Sequence, residues 1–350
     1  MGLQSIHFLQ KCGHLAKKNH LSSKYSYSKE RCLNQLKHFS TGKKLQSFNA
    51  PETLKPSESV RPLEPKVTAL EGSATSPLPE SSPKIKETIV DEVNSSKTHF
   101  GFQSVPEELK ETLVGKVFSS VASSYDVMND FMSFGIHRLW KDHFIHTMAP
   151  GPGTKLLDVA GGTGDIALRF LEYCQKIHSD STAHVRVVDI NPSMLAHGSE
   201  RYHKSQFKQN NQALFQVGNA ECLENVEDSS VDVYTISFGI RNCTHIDRVL
   251  KEAYRVLKPG GRFMCLEFSK VDAPFVKQMY DLYSFQIIPQ LGSIVANDRD
   301  SYQYLVESIR QFPDQKRFSQ MIQEAGFATV GDGYENFTFG VAAMHTGYKF

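Results

Sequence analysis

No apolar run in the 350-residue sequence approaches the ~18 residues that a membrane-spanning helix needs, so any contact with a bilayer is peripheral. Neither sign of charge is in excess. The 39 Lys/Arg and 38 Asp/Glu leave a formal charge of +1, and once a basic leader is set aside no nucleic-acid footprint remains. The six cysteines (Cys12, Cys32, Cys174, Cys222, Cys243 and Cys265) form no C-x-x-C pair and no His/Cys metal spacing, so reduced thiols and no metal site are expected. An apolar h-region with a small-residue cleavage site is also missing, which argues against secretion. No internal repeat is present.

The first hundred residues lack the apolar content of a core. Residues 1–50 carry nine Lys/Arg against one acid, Glu30, with many Ser and His. That bias is typical of a mitochondrial transit peptide. Residues 51–97, rich in Pro, Ser, Glu and Lys, read as a linker. The remainder, 98–350, is long enough for one α/β domain with a large core.

Within that domain the spacing predicts helices across Pro106–Met148, then alternating strands and helices. Strands are expected near 155–160, 185–190, 213–217, 231–237 and 262–268, with helices at 164–177, 192–204 and 245–257. Further helices should fill 273–325, and two short strands should lie at 328–334 and 341–349. Alternating βαβ units imply a parallel sheet with helices on both faces. The segment 271–312, inserted after the fifth strand, is placed to cover a substrate.

The chemistry concentrates in Lys155–Ala167, KLLDVAGGTGDIA. Its strand runs into Ala160-Gly161-Gly162-Thr163-Gly164, where glycine lets the backbone pass close under a ligand. Asp189, one βαβ unit later, is placed to accept hydrogen bonds from ribose hydroxyls. The spacing is not the G-x-G-x-x-G of dinucleotide enzymes, and Asp158 and Asp165 flank the loop. Carboxylates there would repel the pyrophosphate of NAD but tolerate S-adenosylmethionine, which carries a sulfonium and an ammonium. A NAD site and a ligand-free glycine turn are the alternatives.

Loops after the third and fourth strands, Gly218–Glu221 and Ser237–Asn242, open on the same sheet edge, where open α/β sheets bind ligands. Asn219 has the amide needed for adenine, but equally suits an Asx turn. Phe238 either flanks the cofactor or fills core. Arg241 and Asn242 are poor core material and are expected to face the reacting group. His345, alone in a strand, reads as structural.

Together LDVAGGTGDIA (157–167), DINPSML (189–195), SFGIRN (237–242) and the upstream THFGFQ and SYDVMND segments resemble the ubiquinone/menaquinone biosynthesis C-methyltransferase family. The resemblance runs from Thr98 to the end and implies a class I S-adenosylmethionine-dependent methyltransferase fold, Rossmann-like, with a seven-stranded mostly parallel sheet and inserted cap helices. It implies cofactor contacts at Thr163, Asp189, Asn219, Ala220 and Ser237, beside Asp158, Gly161 and Gly164 of the glycine loop, and no metal. Tyr125, Arg241 and Asn242 would lie at the quinol.

The implied reaction transfers the sulfonium methyl to a ring carbon of a 2-methoxy-6-polyprenyl-1,4-benzoquinol. A water held by Arg241, Asn242 and Tyr125 would take the hydroxyl proton while Arg241 stabilises the phenolate. Apolar residues of 279–291 would line a channel for the tail or form ordinary core. Other coenzyme Q biosynthesis proteins in a multi-subunit complex, the matrix side of the mitochondrial inner membrane and a homodimer are the surroundings it implies. Methylation of a demethylmenaquinol, or a non-catalytic role in a biosynthetic complex, are its rivals.

Overall fold

A computed structural model describes residues 96–350, except 123–124, 272–273 and 297. The expected leader, and the linker up to residue 95, lie outside those residues.

Seven strands form one sheet: β3 (Lys155–Val159), β4 (His184–Asp189), β5 (Ala213–Val217), β6 (Val231–Ser237), β7 (Leu257–Phe268), β8 (Tyr334–Phe337) and β9 (Ala342–Tyr348). Their spatial order is β5-β4-β3-β6-β7-β9-β8. β9 runs antiparallel between β7 and β8, and the other five strands are parallel. The chain order reverses at β3, where β4 lies on one side and β6 on the other. That switch point is where such sheets bind ligands.

Strand alternation gives the sheet two cores. Leu156, Val185, Val187, Val233, Met264 and Leu266 pack on one face with Phe144, Phe170 and Leu171 of the helices His137–Met148 and Asp165–His178. Leu157, Val159, Val188, Ile236, Phe263 and Cys265 pack on the other, against Val249, Leu250 and Val256 of Ile246–Val256 and Phe318 and Ile322 of Gln315–Glu324. Burial on both faces explains the near-continuous apolar runs of these strands. Cys174, Cys243 and Cys265 are free thiols.

The expected doubly wound sheet is therefore present, and three local expectations change. A hairpin, β1 (Lys97–Phe100) with β2 (Gln103–Pro106), precedes the first helix, Glu107–Val121. β7 begins at Leu257 rather than Arg262, carrying Pro259-Gly260-Gly261 within it. The Gly260 N–H donates to the Lys349 carbonyl at 2.7 Å, and Lys349 N donates back to Gly261 O at 3.0 Å, so the C-terminus holds this segment extended. The penultimate strand starts at Tyr334, six residues late, because the chain turns at Gly331 and Gly333, both at positive φ. Only an isolated bridge, Ala328 to Tyr348, marks the expected start.

Between β7 and β8 lie the cap helices Pro274–Leu282, Ile288–Ala296 and Arg299–Gln311, as the insertion predicts. Among the described residues, no helix is long and apolar enough to cross a membrane.

Candidate active site

The loops after β3, β4, β5 and β6 converge on a cleft of about 1090 Å³, its open mouth included. Asp158, Gly161, Thr163, Asp189, Asn219, Ala220, Ser237, Asn242 and Tyr125, expected at the cofactor or the quinol, are brought together in its lining. Gly164 sits one step behind, at φ +70° beside the Phe215 ring, as the N-cap of Asp165–His178. Arg241 is absent from the lining.

Glycine is required in the first loop on steric grounds. A Cβ on Gly161 would stand 2.7 Å from Val187 Cγ1 and 2.8 Å from Asp158 Oδ2. Asp189 ties the loop to β4: Oδ2 accepts from Gly162 N at 2.9 Å and Oδ1 from Asn191 N at 2.8 Å. Asn191 in turn caps Pro192–Lys204 through Ser193 N and Met194 N, while its Nδ2 donates to Gly115 O and Ser119 Oγ. That amide fastens the helix Glu107–Val121 over the cleft, with Glu111, Val114, Gly115 and Phe118 in the wall. Lys110 adds a second tie, donating to Cys243 O at 3.0 Å. Sequence periodicity showed this helix but not that it covers the site.

Two buried polar atoms in the wall, Asp158 Oδ2 and Ser237 Oγ, bond nothing among the described residues. Asp158 Oδ1 accepts from Thr235 Oγ1 at 2.8 Å. Burial, reinforced by Asp165 and Asp189, pushes the Asp158 carboxyl up to about 7, against the pull of Thr235 and Lys141. Burial likewise raises Asp189 to about 6, against its backbone donors. Raised carboxyls bind more protons folded than unfolded, so this part of the stability falls as pH climbs from about 4 towards 7. Asp158→Asn should therefore melt higher than the wild type at pH 8, by a margin that shrinks towards pH 4. Melting curves across that range test this, and a pH-independent offset contradicts it.

Asn219 Oδ1 accepts from Glu221 N at 2.8 Å, so the Asx turn is real. Glu221 is itself engaged, holding Thr244 N, His245 N and His245 Nδ1 at 2.7–2.9 Å. Of the two alternatives for Phe238 the core one is met, with the ring buried and tilted on Phe268 at 4.8 Å and the residue held at φ +56°; it also borders the cleft. His345 is structural, bonded through Nε2 to Gln315 O, with burial lowering it to about 4.

Arg241 corrects the expected picture. Its Nη1 donates to Glu267 Oε1 at 2.7 Å and to Phe238 O at 2.6 Å, with both side chains of the pair 1% exposed. It is an ion-paired residue behind the wall, not a free cation facing substrate. Burial raises the Glu267 carboxyl, and Arg241 holds it back. In front of the pair stand Tyr125, which burial raises to about 12 against Arg241, and Asn242, whose Oδ1 accepts from Tyr304 Oη at 2.9 Å. Tyr304 stacks on Phe100 of the hairpin at 4.2 Å.

Glu267, Tyr304 and Lys141 were missed. An acid inside the apolar strand run FMCLEF is as poor a core residue as Arg241, and that rule could have found Glu267. Lys141 lies on the buried stripe of its helix with His137 and Phe144, spacings of four and three residues. Nothing local singles out Tyr304.

The sequence profile of the ubiE/COQ5 methyltransferase family matches residues 106–349. A mitochondrial 2-methoxy-6-polyprenyl-1,4-benzoquinol methylase from Schizosaccharomyces pombe is 53% identical over 81% of this chain and 93% of its own length. Proteins of the same name from Oryza sativa (54% identical, covering 73% of this chain and 90% of theirs) and Homo sapiens (50%, 74% and 86%) are similar too. With the switch-point cleft and the glycine loop in place, the conclusion is direct: the chain belongs to the ubiE/COQ5 methyltransferase family, S-adenosylmethionine-dependent C-methyltransferases.

Proposed function

We propose that this enzyme methylates a ring carbon of 2-methoxy-6-polyprenyl-1,4-benzoquinol in ubiquinone synthesis, with S-adenosylmethionine as co-substrate. The observation that carries the co-substrate is the charge of the cleft. Glu111, Asp158, Asp165, Asp189 and Glu221 line it against one cation, Lys141, among the described residues. A pyrophosphate would meet repulsion there, whereas a sulfonium–ammonium ligand meets complementary charge. The quinol comes from the relatives' names and from the residues beside the cleft.

When bound, S-adenosylmethionine supplies an electrophilic methyl group. Asp189 holds the ribose through the oxygen lone pairs its backbone donors leave free, Asn219 and Ala220 face the adenine, and Asp158 Oδ2 and Ser237 Oγ meet polar groups of the ligand. Asp189→Asn should weaken cofactor binding by one to two decades, the scale of a hydrogen bond to a charged group, ~1.5–3 kcal/mol. Asp189→Ala should lose more and melt lower still, because it frees both the Gly162 and the Asn191 amides, whereas the single amide oxygen of Asp189→Asn can still accept from one of them. Calorimetry on both variants checks this; equal affinities in wild type and Asp189→Asn contradict it.

A quinol ring carbon becomes nucleophilic when the neighbouring hydroxyl gives up its proton. Tyr125 stays protonated and is a hydrogen-bond donor in the working pH range. Asn242, fixed by Tyr304 at Oδ1 and by Gly239 O, to which its Nδ2 donates at 3.3 Å, has the second Nδ2 proton to offer. Arg241 cannot take the proton, since guanidinium keeps its own at a pKa above ~12. Its charge, set by Glu267, backs the Tyr125 and Asn242 groups that hold the water receiving the proton and the developing phenolate.

The leader fits the mitochondrial naming of the relatives, and a matrix location against the inner membrane suits a membrane-borne substrate. Phe275, Met279 and Leu282 are exposed along one cap helix, a surface for the bilayer, for partner proteins of the pathway or for a second copy. Turnover measured with the benzoquinol and with a demethylmenaquinol, both kept reduced, tests the substrate. Preference for the benzoquinol is expected, and preference for the naphthoquinol overturns it.

A further inference from the structure

The hairpin of β1 and β2 adds nothing to either core of the sheet: among the described residues, none of 97–106 belongs to them. A two-stranded hairpin is marginal in water by itself, so its docking has to hold it. It docks on the cap helix Arg299–Gln311, at two residues one turn apart. The Phe100 ring stacks on Tyr304 at 4.2 Å and 17°. The Phe102 N–H donates to Glu307 Oε2 at 3.0 Å, while Glu307 Oε1 accepts from Gln303 Nε2 at 2.8 Å. Gly101 between them is at φ +57°, and a Cβ there would stand 2.3 Å from Glu307 Oε2, so the turn lies close on the helix.

The hairpin thereby touches the residue that sets Asn242. Tyr304, 4% exposed, donates from Oη to Asn242 Oδ1 at 2.9 Å. Asn242 Nδ2 donates to Gly239 O at 3.3 Å. A backbone carbonyl only accepts, so the amide nitrogen must face Gly239 and the amide oxygen must face the phenol. Without the phenol proton the amide would be held at one end only. The hairpin runs on into Glu107–Val121, where the buried Lys110 donates to the carbonyl of Cys243, the next residue, at 3.0 Å. Segment 97–110 thus holds the Asn242–Cys243 step from two directions, by a ring stack relayed through Tyr304 and by an ammonium.

We infer that the hairpin belongs to the catalytic apparatus, with Phe100 a positioning residue that acts through Tyr304 to aim the Asn242 amide at the quinol. Phe100 covers one face of the phenol and restrains the ring whose hydroxyl orients Asn242. The remaining Asn242 N–H is then directed at the quinol oxygen or at the water beside it. This inference rests on the benzoquinol reading above, and its test distinguishes the two.

The test compares the wild type, Phe100→Ala, Phe100→Tyr, Tyr304→Phe and Phe100→Ala/Tyr304→Phe, all as the full chain. For each, kcat and KM with the reduced benzoquinol would be measured beside S-adenosylmethionine affinity and melting temperature. Tyr304→Phe keeps the stack and removes only the hydroxyl, so kcat should fall on the order of 10–10²-fold, the penalty for a misplaced group near the reacting atoms. Phe100→Ala keeps the hydroxyl and removes its support, and kcat should fall about tenfold. Its KM, cofactor affinity and melting temperature should change little, since Phe100 lies in neither the cleft wall nor a core. Phe100→Tyr, which keeps the aromatic face, should restore most of the rate. The double variant should be no slower than Tyr304→Phe, because the two residues act along one route. An unchanged kcat in Phe100→Ala overturns the inference. So do losses that multiply in the double variant, which would give Phe100 another route. A kcat loss that follows the melting temperature, or that Phe100→Tyr fails to restore, overturns it too and leaves the hairpin a structural strap. If the wild type did not turn over the benzoquinol, the substrate reading itself would fall and take the inference with it.

Discussion

Arg241→Ala should lower turnover by a factor on the order of 10² and, in the same protein, lower stability by ~3–5 kcal/mol, the scale for a buried charge stripped of its partner. The second effect arises because Glu267 is left buried, with its carboxylate facing no guanidinium. That carboxyl would then rise further, so the loss of stability should deepen as pH rises. The two effects separate in Arg241→Ala/Glu267→Gln. Removing both charges restores most of the stability, because a neutral amide is far less costly to bury. Turnover stays low, because nothing backs the developing phenolate. Single-turnover rates beside melting temperatures make the comparison. A double variant that recovered rate along with stability would reduce Arg241 to a structural role.

Glu267→Gln should give the second large effect. The amide keeps the shape but removes the anion that aims and partly neutralises Arg241. Turnover should fall on the order of 10–10²-fold, the penalty for loosened positioning of a reacting group. The informative readout is the pH–rate profile. With Glu267 neutral, the uncompensated guanidinium favours the phenolate, so the acid limb should move to lower pH. In Arg241→Ala it should move to higher pH. Opposite shifts identify the pair as the electrostatic backing of the site, whereas an unmoved limb in both variants would leave it a core ion pair. S-adenosylmethionine affinity should change little in either, since neither side chain lines the cleft.

Much of this site was legible in the chain. The apolar strands at Leu156–Val159, Val185–Val188 and Val231–Ile236 announce a sheet buried on both faces. The glycine loop and Asp189 mark its ligand edge because their spacing is local and their steric reasons are strict. The bounds that failed are those set by distant partners. β7 starts early because the C-terminal Lys349 pairs with Gly260 and Gly261, a contact no local pattern contains. Glu267 was hidden for the same reason: its meaning comes from Arg241, 26 residues away. Asn242 could be placed at the edge of the site, but not that Tyr304 of a cap helix fixes it. Lys141 passed as one polar position on a helix until the acidic wall around it was assembled.

Transfer of an isotopically labelled methyl group tests the central claim most directly. The purified full chain would be incubated with methyl-labelled S-adenosylmethionine and chemically reduced 2-methoxy-6-polyprenyl-1,4-benzoquinol, and the product examined by mass spectrometry and carbon NMR. The account predicts one labelled methyl on a ring carbon, with one equivalent of S-adenosylhomocysteine formed for each product. Label on a quinol oxygen, or no label in the quinol while the protein still binds S-adenosylmethionine, would contradict it.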